Sequence, residues 1–272
     1  MKRVGPSGRS MCFLLISVLA LNPTATPVQT INVGQLPTPV RLHTPSDDAV
    51  FEAIMAKAHA QASADPENYD AIMEEHCSGS LTAKPAYWAQ VWPSAVAVGE
   101  RLLSEPELVK GKQVLEVGAG LGLASICAAL AGAAAVVTTD VEPDAVAFAE
   151  ANAAENGVGD LVCGEVLDWS APQASSGGMF DVIIAADVVY DEVALRHLAR
   201  LLHGRVAKAG GLVLLADNAD RPYESRRRSA LLELCCEQGE FQAVGAEEST
   251  RVSLSSRQGE SFVISTRVLQ RL

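Results

Sequence analysis

The sequence lacks the cysteine spacings that are typical of a disulfide framework or of a zinc site. Six cysteines are present, and five remain once Cys12 of the N-terminal segment is set aside. An odd number without CxxC spacing argues against a disulfide framework and against a zinc site. No histidine clusters with cysteines or carboxylates at ligand spacing, so we expect no metal. Cys127 and Cys163 lie in apolar helix and strand patterns, and we expect both to be buried.

Long apolar runs are also missing. The run from Met11 to Leu21 has eleven residues, whereas a membrane-spanning helix needs about 20, so we expect no stable membrane span. Because Lys2, Arg3 and Arg9 precede this run, residues 1–21 resemble a targeting presequence. Such a presequence would direct the protein to an organelle or to the secretory pathway, and free thiols fit a reducing organelle better. Without targeting, the protein would be cytoplasmic.

Positive charge is scarce. The chain has 21 basic and 33 acidic residues, which gives a net charge of −12. Such a surface repels phosphate backbones and attracts basic polypeptides. We therefore expect a polypeptide partner and no nucleic acid partner.

The length of 272 residues leaves room for one large domain and an N-terminal extension. Residues Asn22–Pro45 include five prolines and many threonines, and this composition predicts a flexible linker. The apolar spacing of Asp48–Ala62 predicts an accessory helix capped by Ser46 or Asp47. We divide the chain into a presequence at 1–21, a linker with the accessory helix at 22–80, and a main domain at 81–272.

Strand and helix patterns alternate through the main domain. Continuous apolar strands between helices predict an α/β fold, in which a mostly parallel seven-stranded sheet is covered on both faces. The turn-rich residues 256–260 predict that its last two strands form an antiparallel C-terminal hairpin. The predicted strands are Gln113–Val117, Ala135–Thr139, Leu161–Val166, Phe180–Ala186, Gly211–Ala216, Arg251–Ser255 and Ser261–Val268. The predicted helices are Ser94–Leu103, Gly120–Ala131, Pro143–Asn156, Val193–Val206 and Ser225–Gln238.

A glycine loop between the first core strand and its helix indicates a nucleotide-cofactor site. Gly118, Ala119 and Gly120 stand at the turn, where glycine lets the backbone lie against a ligand. Dinucleotide sites usually read GxGxxG, but here the spacing is GxGxG and Glu116 precedes it. A carboxylate there would repel a pyrophosphate and would suit an ammonium and a sulfonium. The pattern therefore favours S-adenosylmethionine over NAD.

Carboxylates also follow the next three strands of the predicted sheet. Asp140 lies about 20 residues past the loop, where it would accept hydrogen bonds from ribose hydroxyls. Asp168 and Trp169 end the third strand, so the ring could lie against the adenine and the carboxylate could meet its amine. Asp187 and Tyr190 leave the fourth strand, where a methyl acceptor would sit. Because ligands bind beyond the carboxyl ends of such strands, we expect an acidic crevice there.

Aromatic residues make up only 5% of the chain, yet three fall in the segment AYWAQVWPS at residues 86–94. Tyr87, Trp88 and Trp92 could cover the cofactor or pack the N-terminal helix. We favour the covering role for Trp92.

Three segments together resemble the seven-strand methyltransferases of family 16, the protein-lysine methyltransferases. They are QVWPSAVAV from Gln90, LDW at Leu167 to Trp169, and DVVY at Asp187 to Tyr190, which matches the family's DxxY motif. The resemblance covers about Tyr87 to Leu272. It implies a Rossmann-like class I methyltransferase fold and a protein substrate bearing a target lysine. We also expect a monomer. Its implied cofactor contacts are Trp92, Glu116, Gly118, Gly120, Asp140, Trp169 and Ala186, with Asp187 and Tyr190 facing the lysine.

Two other readings stay open on the sequence alone. The same fold with similar aromatic lids serves small-molecule N-methyltransferases, and a closed pocket would favour that activity over an open acidic groove. A non-catalytic binding module is the other alternative. A nucleic-acid amino-methyltransferase is disfavoured, because DVVY lacks the prolines of the segment that stacks a flipped base.

Overall fold

The computed structural model describes residues 21–34, 36–74, 86–171, 178–189, 192–205, 209–236, 240–254 and 259–272. Its centre is a seven-stranded sheet. The strands are β3 (Gln113–Val117), β4 (Ala135–Asp140), β5 (Val162–Val166), β6 (Val182–Ala186), β7 (Leu212–Asn218), β8 (Phe241–Leu254) and β9 (Glu260–Arg271). Their order in the sheet is β5-β4-β3-β6-β7-β9-β8. Strands β3 to β7 are parallel, and β9 and β8 are antiparallel to their neighbours. The predicted α/β fold is confirmed.

Helices cover both faces of the sheet because successive strand residues point to opposite sides. In β6, Val182 and Ile184 pack into one hydrophobic cluster, and Ile183 and Ala185 pack into the other. The helices are α1 (Asp47–Ala64), α2 (Pro93–Ser104), α3 (Leu123–Leu130), α4 (Pro143–Glu155), α5 (Glu192–Arg205) and α6 (Pro222–Cys236). Helices α2, α3 and α4 contribute to the first cluster, and α5 and α6 to the second.

The prediction of a flexible linker over Asn22–Pro45 is wrong. Two short strands, β1 (Val28–Ile31) and β2 (Val40–His43), pair antiparallel there. Asn152 of α4 accepts from the His43 N–H at 2.6 Å, and Asn156 accepts from the Arg41 N–H at 2.9 Å. The two amides also donate back to the carbonyls of the same residues. Asparagine side chains of the main domain therefore hydrogen-bond the outer edge of β2, which a prediction from local composition could not show.

The C-terminal hairpin is confirmed but is longer than predicted. Most of β8 before Val252 is exposed, so its first half lacks the apolar pattern that marks a strand. A register shift between Val244 and Glu248 further interrupts its pairing with β9. Of the predicted turn residues 256–260, residues 256–258 lie outside the described residues.

Other boundaries differ from the predictions by a few residues. Helix α3 begins at Leu123 rather than Gly120, because Gly122 has a φ of 79° and ends the loop in a left-handed conformation. Cys127 is buried as predicted, but Cys163 is exposed, because it lies on the edge strand β5. Within the described ranges, no helix combines the length and the apolar character needed to cross a bilayer.

Candidate functional site

A cleft of about 1150 Å³ opens at the carboxyl ends of the parallel strands. Of the eleven predicted site residues, ten line it: Trp92, Glu116, Gly118, Ala119, Gly120, Asp140, Asp168, Trp169, Ala186 and Asp187. The eleventh, Tyr190, lies outside the described residues. The structure thus brings residues from four separate strand ends around one space, which the sheet order requires of β3, β4, β5 and β6.

The glycine loop forms part of the cleft wall and has no room for side chains. Gly118 and Gly120 have φ values of 65° and 53°, a region that favours glycine. A Cβ on Gly118 would lie 3.0 Å from a methyl of Val188, and one on Gly120 would lie 3.0 Å from the carbonyl oxygen of Trp88. Ala119 donates its N–H to Thr139 at 2.8 Å, which fixes the loop on β4. A ligand in the cleft can therefore approach bare backbone.

Glu116 is a buried carboxylate beside this loop, with 2% of its surface exposed. One carboxylate oxygen, Oε2, accepts from the Ser125 N–H at 2.7 Å and also from the Ser125 hydroxyl. Burial raises the pKa of Glu116 to about 7, although both hydrogen bonds from Ser125 oppose the rise. Because an unpaired buried charge is costly, a cationic group in the cleft would be stabilised beside it.

Asp140, at the end of β4, is 8% exposed and accepts hydrogen bonds from the glycine loop and from the turn that follows β4. Its Oδ2 accepts from the Gly120 N–H at 3.0 Å, and its Oδ1 accepts from the Glu142 N–H at 3.1 Å. Burial raises the pKa of Asp140, and these backbone donors limit the rise. Each carboxylate oxygen has a second lone pair, so the side chain can anchor the loop and still accept from a ligand hydroxyl.

Asp168 and Trp169 line the cleft from the end of β5 in different ways. Asp168 is exposed, and its Oδ1 accepts from the N–H and the hydroxyl of Ser170 at 2.8 and 2.7 Å. These hydrogen bonds lower the pKa of Asp168. The Trp169 ring is half-buried against the second hydrophobic cluster, and its Cζ2 lies 3.5 Å from where a Gly118 Cβ would be. It gives the cleft a flat apolar wall beside the loop.

Asp187 leaves β6 in a left-handed conformation, with a φ of 55°. Its backbone N–H donates to the Ala216 carbonyl of β7 at 2.8 Å, which holds this turn to the neighbouring strand. Among the described residues, only Ala209 is another non-glycine with positive φ. Such conformations cost free energy and often mark functional positions. The turn places Asp187 on the cleft between Ala186 and Val188.

The two tryptophans of the aromatic segment before α2 differ in position: one packs in the core and the other lines the cleft. Trp88 packs on Phe148 with ring centroids 5.4 Å apart, so its ring joins the core. Trp92 lines the cleft, donates from Nε1 to the Tyr87 carbonyl at 2.7 Å, and meets the Tyr87 ring edge-on at 5.7 Å. The guanidinium carbon of Arg221 lies 5.3 Å from the Trp92 ring centroid. Trp92 thus lies at the cleft surface, in a position to cover a ligand.

Sequence reasoning missed the part of the cleft formed by α1, which it treated only as an accessory helix. Val50, Ala53, Ile54 and Lys57 lie on one face of α1 and line the cleft. Lys57 forms an ion pair with Asp144 in the first turn of α4, which links α1 to the main domain. The spacing of three and four residues between them predicts a helix, but it does not show which surface this face of the helix contacts.

Acidic and histidine side chains form no group that could hold a metal ion among the residues that the structure describes. What the described cleft offers a ligand is backbone at the glycine loop, two buried carboxylates, and aromatic rings from two segments.

Comparisons with known proteins point to one family. A family model described as lysine methyltransferase matches residues 82–229. The electron transfer flavoprotein beta subunit lysine methyltransferase of Danio rerio is 34% identical over 145 residues, covering 53% of this chain and 55% of that protein. The calmodulin-lysine N-methyltransferase of Arabidopsis thaliana is 34% identical over 116 residues, covering 41% and 38%. The chain therefore spans about half the length, or less, of these curated relatives.

Solved structures agree on the fold. A Pyrococcus horikoshii protein provisionally named an RNA methyltransferase superposes with a TM-score of 0.53 at 20% identity, over 70% of this chain and 89% of that one. At this identity the likeness concerns the fold alone. The family model, by contrast, covers more than half of the chain and includes the glycine loop and the ends of β3 to β6. The chain belongs to the lysine methyltransferase family.

Proposed function

We propose that this protein is an S-adenosylmethionine-dependent protein-lysine N-methyltransferase. The observation that carries the proposal is the arrangement of the cleft. Buried Glu116 and Asp140 flank a glycine loop, and Asp187 lines the same cleft from the neighbouring strand β6. One end of the cleft therefore suits a methyl donor, and the other suits an acceptor amine.

The donor end fits the chemistry of S-adenosylmethionine. Glu116 would hold its ammonium group, Asp140 would accept from its ribose, and the Trp169 ring would lie against its adenine, with Asp168 beside it. The loop residues Gly118, Ala119 and Gly120 present bare backbone, since a Cβ on either glycine would meet a neighbouring atom at 3.0 Å. When bound, this cofactor supplies an electrophilic methyl group, whose bonding electron pair stays on sulfur as the amine forms the new bond.

The acceptor end must hold a lysine amine and stabilise the charge that it gains. The unperturbed pKa is about 10.4, so on the order of one amine in a thousand is neutral at pH 7. Asp187 would align the neutral amine and stabilise the ammonium that develops on nitrogen, because its position is fixed by the hydrogen bond to Ala216. Tyr190 stays a predicted partner in orienting the amine. Ala186 would lie against the donor at the junction of the two ends.

The openness of the acceptor end supports a polypeptide over a small metabolite. Val193 lines the cleft and is 75% exposed, so this end meets solvent instead of closing over a ligand. A lysine side chain with part of its own polypeptide fits such a space.

The test is transfer of a labelled methyl group. The purified protein is incubated with labelled S-adenosylmethionine and cell extract, and acid hydrolysis of the labelled protein identifies the modified residue. Methyl-lysine supports the proposal, whereas label confined to small molecules supports the metabolite alternative. Failure of the protein to bind the cofactor by calorimetry supports a non-catalytic module.

The compartment is a separate proposal. Residues 1–20 lie outside the described residues, so targeting rests on the pattern of basic and apolar residues alone. We propose import into a reducing organelle. Fluorescent fusions of the full chain and of residues 22–272 test this, and the same distribution for both would contradict it.

A further inference from the structure

Arginines are concentrated where the chain leaves β7, although the protein as a whole is acidic. Residues 219–228 read ADRPYESRRR and hold four of its 21 basic residues. Arg228 is buried and pairs with Asp217 at 2.8 Å and Glu247 at 2.9 Å, so it stabilises the fold. Arg221 differs from it, because Arg221 lines the cleft.

The backbone at Arg221 is fixed by the turn that follows β7. The Arg221 N–H donates to the Asn218 carbonyl at 3.3 Å, and the Asp220 N–H donates to the Asn218 side chain at 2.9 Å. The Asp220 carboxylate in turn accepts from the Val263 N–H of β9 at 3.2 Å. This turn follows the strand next to β6, so Arg221 is held near the end of the cleft where Asp187 lies.

The side chain of Arg221 is also held in position. Its guanidinium carbon lies 5.3 Å from the centroid of Trp92, and Trp92 is itself held by its hydrogen bond to the Tyr87 carbonyl. A cation over an aromatic face is attracted to the ring, and a planar guanidinium carries its N–H donors in a fork that matches a carboxylate. The half-buried Arg221 therefore places a fixed positive charge on the cleft wall.

We propose that Arg221 is a specificity residue that pairs with an aspartate or glutamate of the substrate close to the target lysine. The substrate class is then a polypeptide with a carboxylate near the methylated lysine, even though the net charge of −12 by itself favours basic polypeptides. This inference rests on the proposed function. Its physical basis is that complementary charges at an interface favour one partner over others and fix how that partner is aligned.

The test compares two lysine-centred peptide libraries. One carries Asp or Glu within three positions of the lysine, and the other carries Asn or Gln there. For the wild-type protein we expect kcat/KM to be about three- to tenfold higher for the acidic library, an effect typical of a charge pair at the rim of an interface. The difference should come from a lower KM, with kcat unchanged. Arg221→Met should abolish the preference, and Arg221→Glu should reverse it toward a third library with Lys or Arg flanks.

The ratio between libraries separates selection from a structural role. If Arg221 only packed against Trp92, its variants would lower activity on both libraries equally and leave the ratio unchanged, which would overturn the inference. Arg251→Glu is the matched control, because Arg251 is exposed on β8 at the sheet edge, and it should keep the wild-type ratio.

Peptide binding, followed by calorimetry, distinguishes failure of the inference from failure of the proposed function. Tighter binding of the acidic library without methylation supports the role of Arg221 and contradicts the proposed activity. Methylation of both libraries at equal rates supports the activity and overturns the inference. Absence of binding to either library overturns the inference too.

Discussion

The two ends of the cleft are built differently. At the donor end, Glu116 and Asp140 are 2% and 8% exposed, and backbone or hydroxyl groups hold both carboxylates. At the acceptor end, Val193 is 75% exposed and Arg221 is half-buried on the rim. Under the proposed function, the donor end is preformed for one ligand, whereas the acceptor end leaves its specificity to surface residues. Substitutions at the two ends test that contrast.

The largest expected effect is at Asp187. Asp187→Asn keeps a residue type that tolerates the φ of 55°, but removes the charge that would stabilise the developing ammonium. We expect kcat to fall about 10²- to 10³-fold, with cofactor affinity nearly unchanged. Methyl incorporation and calorimetry measure the two quantities. Asp160→Asn, at an exposed position, is the control. Full activity in Asp187→Asn would remove this residue from the mechanism.

Asp140→Ala should have the next largest effect, on the donor end. Loss of a charged hydrogen bond is expected to weaken cofactor binding by about 1.5 to 3 kcal/mol. Since the carboxylate also anchors Gly120 and Glu142, an analogue without ribose hydroxyls is needed to separate the two roles. Wild type should bind this analogue more weakly than the cofactor, and the variant should bind both alike. Unchanged affinity for the natural cofactor would refute the ribose assignment.

Cofactor affinity should depend on pH through Glu116. Since burial raises the pKa of Glu116 to about 7, the carboxylate is protonated below that pH and cannot pair with an ammonium. We expect affinity to fall up to about tenfold per pH unit as the pH drops below 7, measured by calorimetry. Glu116→Gln should bind more weakly and lose this dependence. A flat wild-type profile would contradict the assignment of Glu116 to the ammonium.

The same group should affect the stability of the ligand-free protein in the opposite direction. Its folded-state pKa lies above the ordinary value of 4.5, so the unfolded chain releases the proton first as the pH rises. The contribution of Glu116 to stability is therefore lost between about pH 4.5 and 7. Denaturant titrations of wild type and Glu116→Gln should show this fall only in wild type.

The smallest effect is expected at Lys57. Its ion pair with Asp144 joins α1 to α4, but the Lys57 side chain is 37% exposed, so water screens the pair. We expect Lys57→Met to change the free energy of unfolding by about 0 to 1 kcal/mol and cofactor affinity by no more than a few fold. A loss as large as that of Asp140→Ala would mean that α1 belongs to the donor end itself.

The donor end could be predicted from sequence because its residues follow local rules. Strand, glycine loop and helix are consecutive in the chain, and a carboxylate directly after a parallel strand must lie at the same edge of the sheet as its neighbours. The prediction held for the position of Glu116, Asp140, Asp168 and Asp187 on one cleft. The roles of these residues toward ligands stay predictions.

The failures fall where the deciding contact is distant in sequence. Cys163 has an apolar pattern around it but lies on the edge strand, and only the strand order exposes it. The first half of β8 has no apolar alternation, because pairing with β9 and not burial defines it. Apolar periodicity in a sequence reflects burial, so it does not reveal a strand that is held mainly by backbone hydrogen bonds.

The sequence by itself therefore determined the order of strands and helices in the main domain, the glycine loop after its first strand, and the acidic strand ends. The tertiary structure alone decided that β2 packs on α4 through Asn152, 109 residues beyond its partner His43. It also decided that α1 forms part of the cleft and that Arg221 rests on Trp92. The physical reason is that periodicity shows which face of an element is apolar, whereas only the packed chain determines what that face contacts.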